Sequence, residues 1–279
     1  ALRIVAQKMS ENIKQTIVIE NQPGVAGLMG TERLTRAPAD GYLIGGLGDS
    51  ILNFAANLAT NLNFDPVNGV QPVAMVATIP WTLAVNPNVS PKTMTQFIEK
   101  AKVNPGQLDY ASTGTGSASH IGMELLASQA KIKLTHVPYK GAPQAMTDLI
   151  SGQVDLLFAN SSVALSQIKA GKVRPIAVTS LQRYKGLPDV PTMNEAGVPK
   201  FEADQWLCIF APAGTPPAVQ VFLRNEFEKS LNNIEVRSTL EQNGMSVAAA
   251  STQTELAAFL KQDREKWVRV VKSANIPRE

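Results

Sequence analysis

The sequence predicts an α/β protein of two lobes, each a mostly parallel sheet flanked by helices. Three observations carry that expectation. Short β-branched or apolar runs lead through glycine-bearing turns into segments of helical period, the alternation of parallel strands with crossover helices. This alternation occurs twice, interrupted by two consecutive extended runs, VQPVAMVAT and WTLAVNP. After FEADQWLCIFAPAGTPP only amphipathic helices follow, with no further strand pattern.

The first element, ALRIVAQKMSENI, sets Leu2, Val5, Met9 and Ile13 at helical spacing. TIVIEN (Thr16 to Asn21) reads as a continuous β-branched strand of the kind buried in a parallel sheet. A parallel strand needs a partner before its crossover helix, so a first strand and its loop are expected upstream of Ala1. A targeting segment could lie with them. In NQPGVAGLMGTERLTRA, Pro23-Gly24 ends the strand, and Gly27 and Gly30 space a helix ending near Ala37. Asp40-Gly41 is a turn signal. Tyr42 to Gly48 reads as a second buried strand, followed by Asp49-Ser50 and a helix through Leu58.

Beyond the two extended runs, Ser90-Pro91 and Asn104-Pro105-Gly106 bracket a helix. Alternation then restarts: the strand LDYAS, a helix from Ser117, the strand KLTHVPY, a helix from Ala142 to Ile150, the strand VDLLFAN, the helix SSVALSQIKAG and the strand VRPIAVTS. LQRYKGLPDVPTMNEAGVPKF is rich in proline and glycine and reads as a loop with one short helix. VQVFLRNEFEKSLN, EVRSTLEQNG and TELAAFLKQDREKWVRVVKSA carry apolar stripes with solvated faces. They are expected to return to the first lobe. The first lobe is thus 1–86 plus 201–279 and the second 87–200, with crossings near LAVNP and WLCIF that place a cleft between the lobes.

Composition narrows the function classes. The 279 residues are 44% hydrophobic and 18% charged, a globular balance. Lys plus Arg number 26 against 23 Asp plus Glu, and the basic residues are scattered, which argues against a nucleic-acid groove. The single cysteine, Cys208, excludes an intramolecular disulfide and reads as core. No apolar run reaches membrane-spanning length. Two histidines and one cysteine make a transition-metal site improbable, and no metal or cofactor is expected.

The stretch with most chemistry is Tyr110 to His120, YASTGTGSASH. A strand that turns through glycine into a helix leaves the first helical amides unpaired and partly positive. Ser112, Thr113, Thr115 and Ser117 add hydroxyls around Gly114 and Gly116, and no lysine or arginine lies between Asp109 and His120. The turn is a candidate anion cradle held by dipoles and hydroxyls. The alternative is an ordinary turn with Ser117 or Gly116 as N-cap. Pro23, Gly24, Val25, Ala26 and Gly27 form a second such turn in the first lobe.

Other residues carry open alternatives. His120 either touches a ligand carboxylate or packs at the third helix position. Asp49 and Ser50 either line the cleft or cap the next helix, and Asn160 with Ser161 and Ser162 has the same ambiguity. Trp206 is a ligand wall or hinge packing. His136 reads as structural and Lys140 as a surface charge. A hydrolase is disfavoured because no G-x-S-x-G elbow surrounds Ser117 and no carboxylate orients His120. No Walker lysine or dinucleotide fingerprint follows either glycine turn.

IENQPGVAGLMGTERLTRAPADGY, STGTGSASH, HVPYKGAPQAMTDLISGQVDLLFAN, IKAGKVRPIAVTS, LPDVPTMNEAG and APAGTP together resemble, in order and over essentially the whole chain, the Bug-type solute receptors of tripartite tricarboxylate transporters. The resemblance implies a periplasmic, Venus-flytrap protein with the type II-like two-lobe fold and a hinge of two crossing strands. It would be monomeric and non-catalytic, binding a small carboxylate through amides, hydroxyls and water. Its partners would be the membrane subunits of such a transporter or, in the alternative, a sensor kinase. Many relatives carry an acid where Ala159 stands. Its absence here implies mono- or dicarboxylates, aliphatic or aromatic, over amino acids.

Overall fold

The structure, a computed structural model, describes residues 1–22, 24, 27–59, 62–89 and 91–274. They fall into two compact units, Ala1–Thr78 with Gln205–Arg269, and Ile79–Asp204 with the chain from Val270. No helix among the described residues is long and apolar enough to cross a membrane.

In chain order the first unit begins with α1 (Leu2–Ile13), α2 (Leu28–Thr35) and β1 (Gly45–Gly48). A wide π-type turn at Ser50–Ala55 runs into α3 (Ala56–Leu58), and β2 (Val70–Ile79) leads out of the unit. The second unit holds β3 (Trp81–Val85), α4 (Met94–Val103), β4 (Asp109–Ser112), α5 (Ala118–Ala130), β5 (Thr135–Pro138), α6 (Ala142–Ser151), β6 (Leu156–Asn160), α7 (Ser161–Lys169) and β7 (Arg174–Val178). The chain returns through β8 (Gln205–Pro212), α8 (Pro217–Leu231), α9 (Ile234–Gln242), β9 (Ser246–Val247) and α10 (Gln253–Ser273).

The α/β class stands, but strand pairing is mixed and not mostly parallel. The first sheet runs β1-β8-β2-β9, with β1 antiparallel to β8 and β9 antiparallel to β2. The second runs β5-β4-β6-β3-β7. There β4 is parallel to β5 and β6, whereas β3 is antiparallel to β6 and β7. The reason is connectivity. β3 follows β2 across Pro80 alone, so no crossover helix fixes its direction.

Three smaller expectations also change. Thr16 to Asn21 forms no regular element and joins no ladder among the described residues. Its pattern is half-buried, not fully buried: Ile17 packs on the first-unit core, whereas Val18 is 75% exposed. The C-terminal region does carry a strand, since β9 adds Val247 opposite Ala77 and Ser246 opposite Thr78. Two residues are too few to show a period of two. The Pro/Gly-rich 181–204 segment forms turns where a short helix was expected.

One face of the first sheet packs Val5 and Met9 of α1, Leu223 and Phe227 of α8 and Leu240 of α9 over Val73 and Val76. A second cluster gathers Leu34, Leu47, Leu52, Trp206, Cys208, Phe210 and Leu256. Cys208 is buried there, and burial pushes its thiol well above the usual range, so it is the core residue the sequence predicts. In the second unit, Ala84, Ala111, Ala145 and Ala159 sit among Met146, Leu149, Val154 and Leu157. Parallel pairing of β4, β5 and β6 puts Ser112, Pro138 and Asn160 on one carboxyl edge. In open α/β sheets that edge is where ligands bind.

Candidate functional site

The turn from β4 into α5 is built by its own small side chains. Ser117 is the N-cap of α5, its hydroxyl accepting from the His120 amide at 3.4 Å. Gly114 and Gly116 have φ of 128° and 74°, values that glycine adopts without Cβ strain. Ser112 Oγ lies 3.1 Å from Gly114 N and 3.0 Å from Gly114 O, closing a tight loop. Ser119 Oγ accepts from Thr113 N at 3.0 Å and lies 3.3 Å from Thr113 Oγ1 and 3.1 Å from Ser117 Oγ. Ser117 N donates to Gly114 O at 3.1 Å.

This refines which amides are open. Those of Thr113, Gly114, Gly116, Ser117 and His120 are taken up inside the turn, because neighbouring hydroxyls and one imidazole reach them first. The amides of Thr115, Ala118 and Ser119 have no protein acceptor among the described residues. Thr115 is exposed at the tip and Gly114, Gly116, Ser117 and Ala118 are half-buried, so the turn presents both amides and hydroxyls at its surface. Ser119 is only 1% exposed, so the open amides that reach the surface are those of Thr115 and Ala118, and these can hold one carboxylate group.

Both histidines lie under this turn. His120 is 7% exposed and stacks on His136 with ring centres 3.8 Å apart and planes 8° from parallel. His136 stacks in turn on Tyr110, its register partner across β4 and β5, at 5.0 Å. Tyr110 donates its hydroxyl to Glu124 Oε1 at 2.5 Å. His120 Nδ1 accepts from Gly116 N at 3.0 Å, so its proton is on Nε2. His136 Nε2 lies 2.6 Å from Ser112 Oγ. Burial lowers the pKa of His120; burial and the neighbouring His120 push that of His136 down to about 4. Both rings are therefore neutral at pH 7. His120 shapes the loop, and His136, read from the sequence as structural, is tied to the same loop.

Asn160 ends β6 on the same carboxyl edge, half-buried and opposite Trp81 across the antiparallel ladder. Ser161 is buried, with its hydroxyl 2.8 Å from Thr82 Oγ1, so it braces β3.

In the first unit, Pro23, Val25 and Ala26 lie outside the described residues. Gly24 is exposed with φ 125°, and Gly27, the N-cap of α2, has φ 94°. Gly27 N donates to Gly24 O at 2.9 Å. A Cβ on Gly27 would fall 2.7 Å from Ile51 Cδ1, so this turn abuts the π-type turn after β1. Asp49 is 3% exposed and gives no cap bond. Burial, with the Asp263 carboxylate adding to it, raises its pKa to about 8. Ser50 Oγ lies 3.4 Å from Asp49 Oδ1 and 3.3 Å from Gln205 Nε2.

Trp206 is a correction. It is 3% exposed, packed in the first-unit core, and its indole N–H donates to Asp263 Oδ2 at 2.9 Å. An indole so engaged is core, not an exposed aromatic wall. Asp263 also accepts from Asn53 Nδ2 at 2.7 Å and pairs with Lys266 at 2.7 Å. Sequence reasoning missed Asp263 because KQDREKW reads as a solvated helix face. It also missed Ser119, which the Ser-x-Ser spacing after the cap could have flagged.

With this geometry in hand, the comparisons are informative. Residues 1–276 match the model of the tripartite tricarboxylate transporter family receptor. A protein from the tcbD-tcbE intergenic region of Pseudomonas sp. strain P51 is 36% identical over 276 residues, spanning 96% of this chain and 80% of that protein. The solved Rpa4515 protein of R. palustris with adipate is similar at TM-score 0.82 and 29% identity, covering 99% of this chain and 92% of its own. The periplasmic binding protein BugD is similar at TM-score 0.78 and 32% identity, covering 100% and 93%.

Proposed function

The chain belongs to the tripartite tricarboxylate transporter receptor family, and we propose that it is a periplasmic receptor that captures a small mono- or dicarboxylate and delivers it to a membrane transporter. It is a solute-binding protein of the Bug type, not an enzyme. The observation that carries the carboxylate reading is the β4–α5 turn, where the amides of Thr115 and Ala118 stand open beside the hydroxyls of Thr113, Thr115 and Ser117. The loop holds its ligand without a cationic side chain of its own, so selection rests on hydrogen-bond geometry. Adipate in a similar solved protein supports a dicarboxylate as the first ligand to try.

Asn160 adds a polar group on the same carboxyl edge as the turn. Calorimetry with adipate at pH 7.5 tests the reading, with wild type compared to Thr115→Pro, which deletes one open amide at an exposed position. The expected loss is about tenfold to a hundredfold in affinity, roughly 1.4–2.8 kcal/mol. Equal affinity in the two proteins overturns the assignment of the turn.

A further inference from the structure

The stacked imidazoles beneath the β4–α5 turn have no role in the reading above, yet each is wired to it by one hydrogen bond. We propose that His120, braced by the His136 ring stacked on it, is a positioning residue that holds the ligand turn in its binding shape only while it is neutral, so that acid loosens the turn and releases the ligand.

His120 is an acceptor for the turn. Its Nδ1 receives the Gly116 amide at 3.0 Å, a bond that exists only while that nitrogen is unprotonated. A proton on Nδ1 would set two N–H groups against each other. Gly116 has a positive φ and stands between the open amides of Thr115 and Ala118, so its displacement moves the donors around it. His136 fixes the other end of the loop. Ser112 Oγ has one proton and three neighbours: Gly114 O, Gly114 N and His136 Nε2. All three are satisfied when the hydroxyl donates to Gly114 O and accepts from both nitrogens, which places the His136 proton on Nε2.

The surroundings decide how the pair responds. Rings 3.8 Å apart and nearly parallel cannot both be charged without strong repulsion. The titratable groups facing them are Tyr110 from β4 and Glu124 from α5 itself; β6 contributes none along Leu156–Asn160. Tyr110 occupies Glu124 through its hydroxyl. Burial disfavours the charged form of both histidines. Neutral rings are thus the folded state's preference, and proton uptake works against it.

The sign follows. Each histidine has a folded pKa below its unfolded value of about 6.5, so the turn is fully supported above that value. Support is lost as pH falls through the folded pKa of His120, which burial lowers, whereas the His136 Nε2–H bond to Ser112 Oγ survives protonation of the other ring nitrogen.

The consequence for ligand release rests on the carboxylate-receptor reading; the behaviour of the turn does not. The test therefore has two readouts on the intact chain. The first is amide exchange at Gly116 without ligand, from pH 7.5 to 4.0 and corrected for intrinsic exchange. Wild type should lose protection on the order of tenfold, with Leu157 in the β6 ladder unchanged. His120→Gln, whose amide oxygen can accept from Gly116, should keep its protection at both pH values. His120→Leu should lack it throughout. A flat Gly116 profile in wild type, or equal protection in His120→Leu, overturns the proposal.

The second readout is adipate affinity at pH 7.5 and 4.0 in wild type and His120→Gln, which share the ligand's own titration. A larger loss in wild type supports acid release, and an equal or smaller loss refutes it. No binding to either protein at pH 7.5 would count against adipate as the ligand, and Gly116 exchange would still decide the role of the histidines.

Discussion

The turn after β1 and the turn after β4 share a plan: a short strand, small residues with a hydroxyl, then a helical segment. They solve opposite problems. After β4, every side chain from Ser112 to Ser119 is uncharged, the hydroxyls knit the loop, and two amides remain open at the surface. After β1, a carboxyl group is buried almost completely at Asp49, and the polar groups around it are sealed by partners from β8 and α10. The first arrangement offers donors to an anion. The second stores polar atoms inside the unit and leads into a π-type turn, a strained geometry often found near functional positions. Sequence pattern alone does not separate the two, because the deciding groups, His136 and Asp263, are supplied by other elements.

Three perturbations would break or sharpen this contrast. The largest effect is expected at Asp263→Ala, which strands the Trp206 indole N–H and the Asn53 amide and breaks the Lys266 ion pair. Loss of one partner from such a buried network should destabilise by about 3 kcal/mol, read in denaturant unfolding. A change under roughly 1 kcal/mol, the scale of a single surface pair, would show that the cluster does not hold the first unit together.

Next comes Asp49→Asn, a change of charge capacity with little change of shape. Asp49 has a folded pKa raised to about 8, so the folded protein binds a proton that the unfolded chain has released. Its contribution is most favourable below about pH 4 and is lost as pH rises toward 8. Asp49→Asn should flatten that decline and be the more stable protein at pH 7, by a few kcal/mol at about 1.4 per pKa unit. Parallel pH–stability curves for the two proteins would mean that Asp49 is ionised and paired.

The smallest effect belongs to the other turn. Ser117→Ala removes the N-cap hydroxyl of α5 and should cost about 1 kcal/mol of stability. Because Ser117 Oγ also meets Ser119 Oγ, adipate affinity should fall with it. Lost stability with unchanged affinity would make Ser117 a cap alone, and the contrast between the two turns would narrow.

Much of the fold was legible in the residues. LDYAS, with Gly114 and Gly116 following, announced a strand, a turn and a helix start, and Ser117 is the cap its position suggested. Asn104-Pro105-Gly106 did end α4, and the helix begins just beyond the Ser90-Pro91 entry signal, capped by Thr93. What stayed hidden was anything set by long-range contact. TIVIEN has β propensity, but propensity does not supply a ladder partner. The mixed pairing depends on how β3 is reached. The buried acid cluster joins positions 49 and 53 to 206 and 263, and local period says nothing about such meetings.

The route of the chain through its two sheets has a temporal consequence. β1 hydrogen-bonds to β8, so Gly45 must wait for Phe210 before its ladder exists. The second sheet needs only the contiguous stretch from Trp81 to Val178. On a ribosome, where the amino end emerges first, the inner block can close while the outer one is still missing half its strands. The apolar residues of α1 and β2 must then stay out of trouble until the carboxyl third arrives, and the interval is set by the speed of translation.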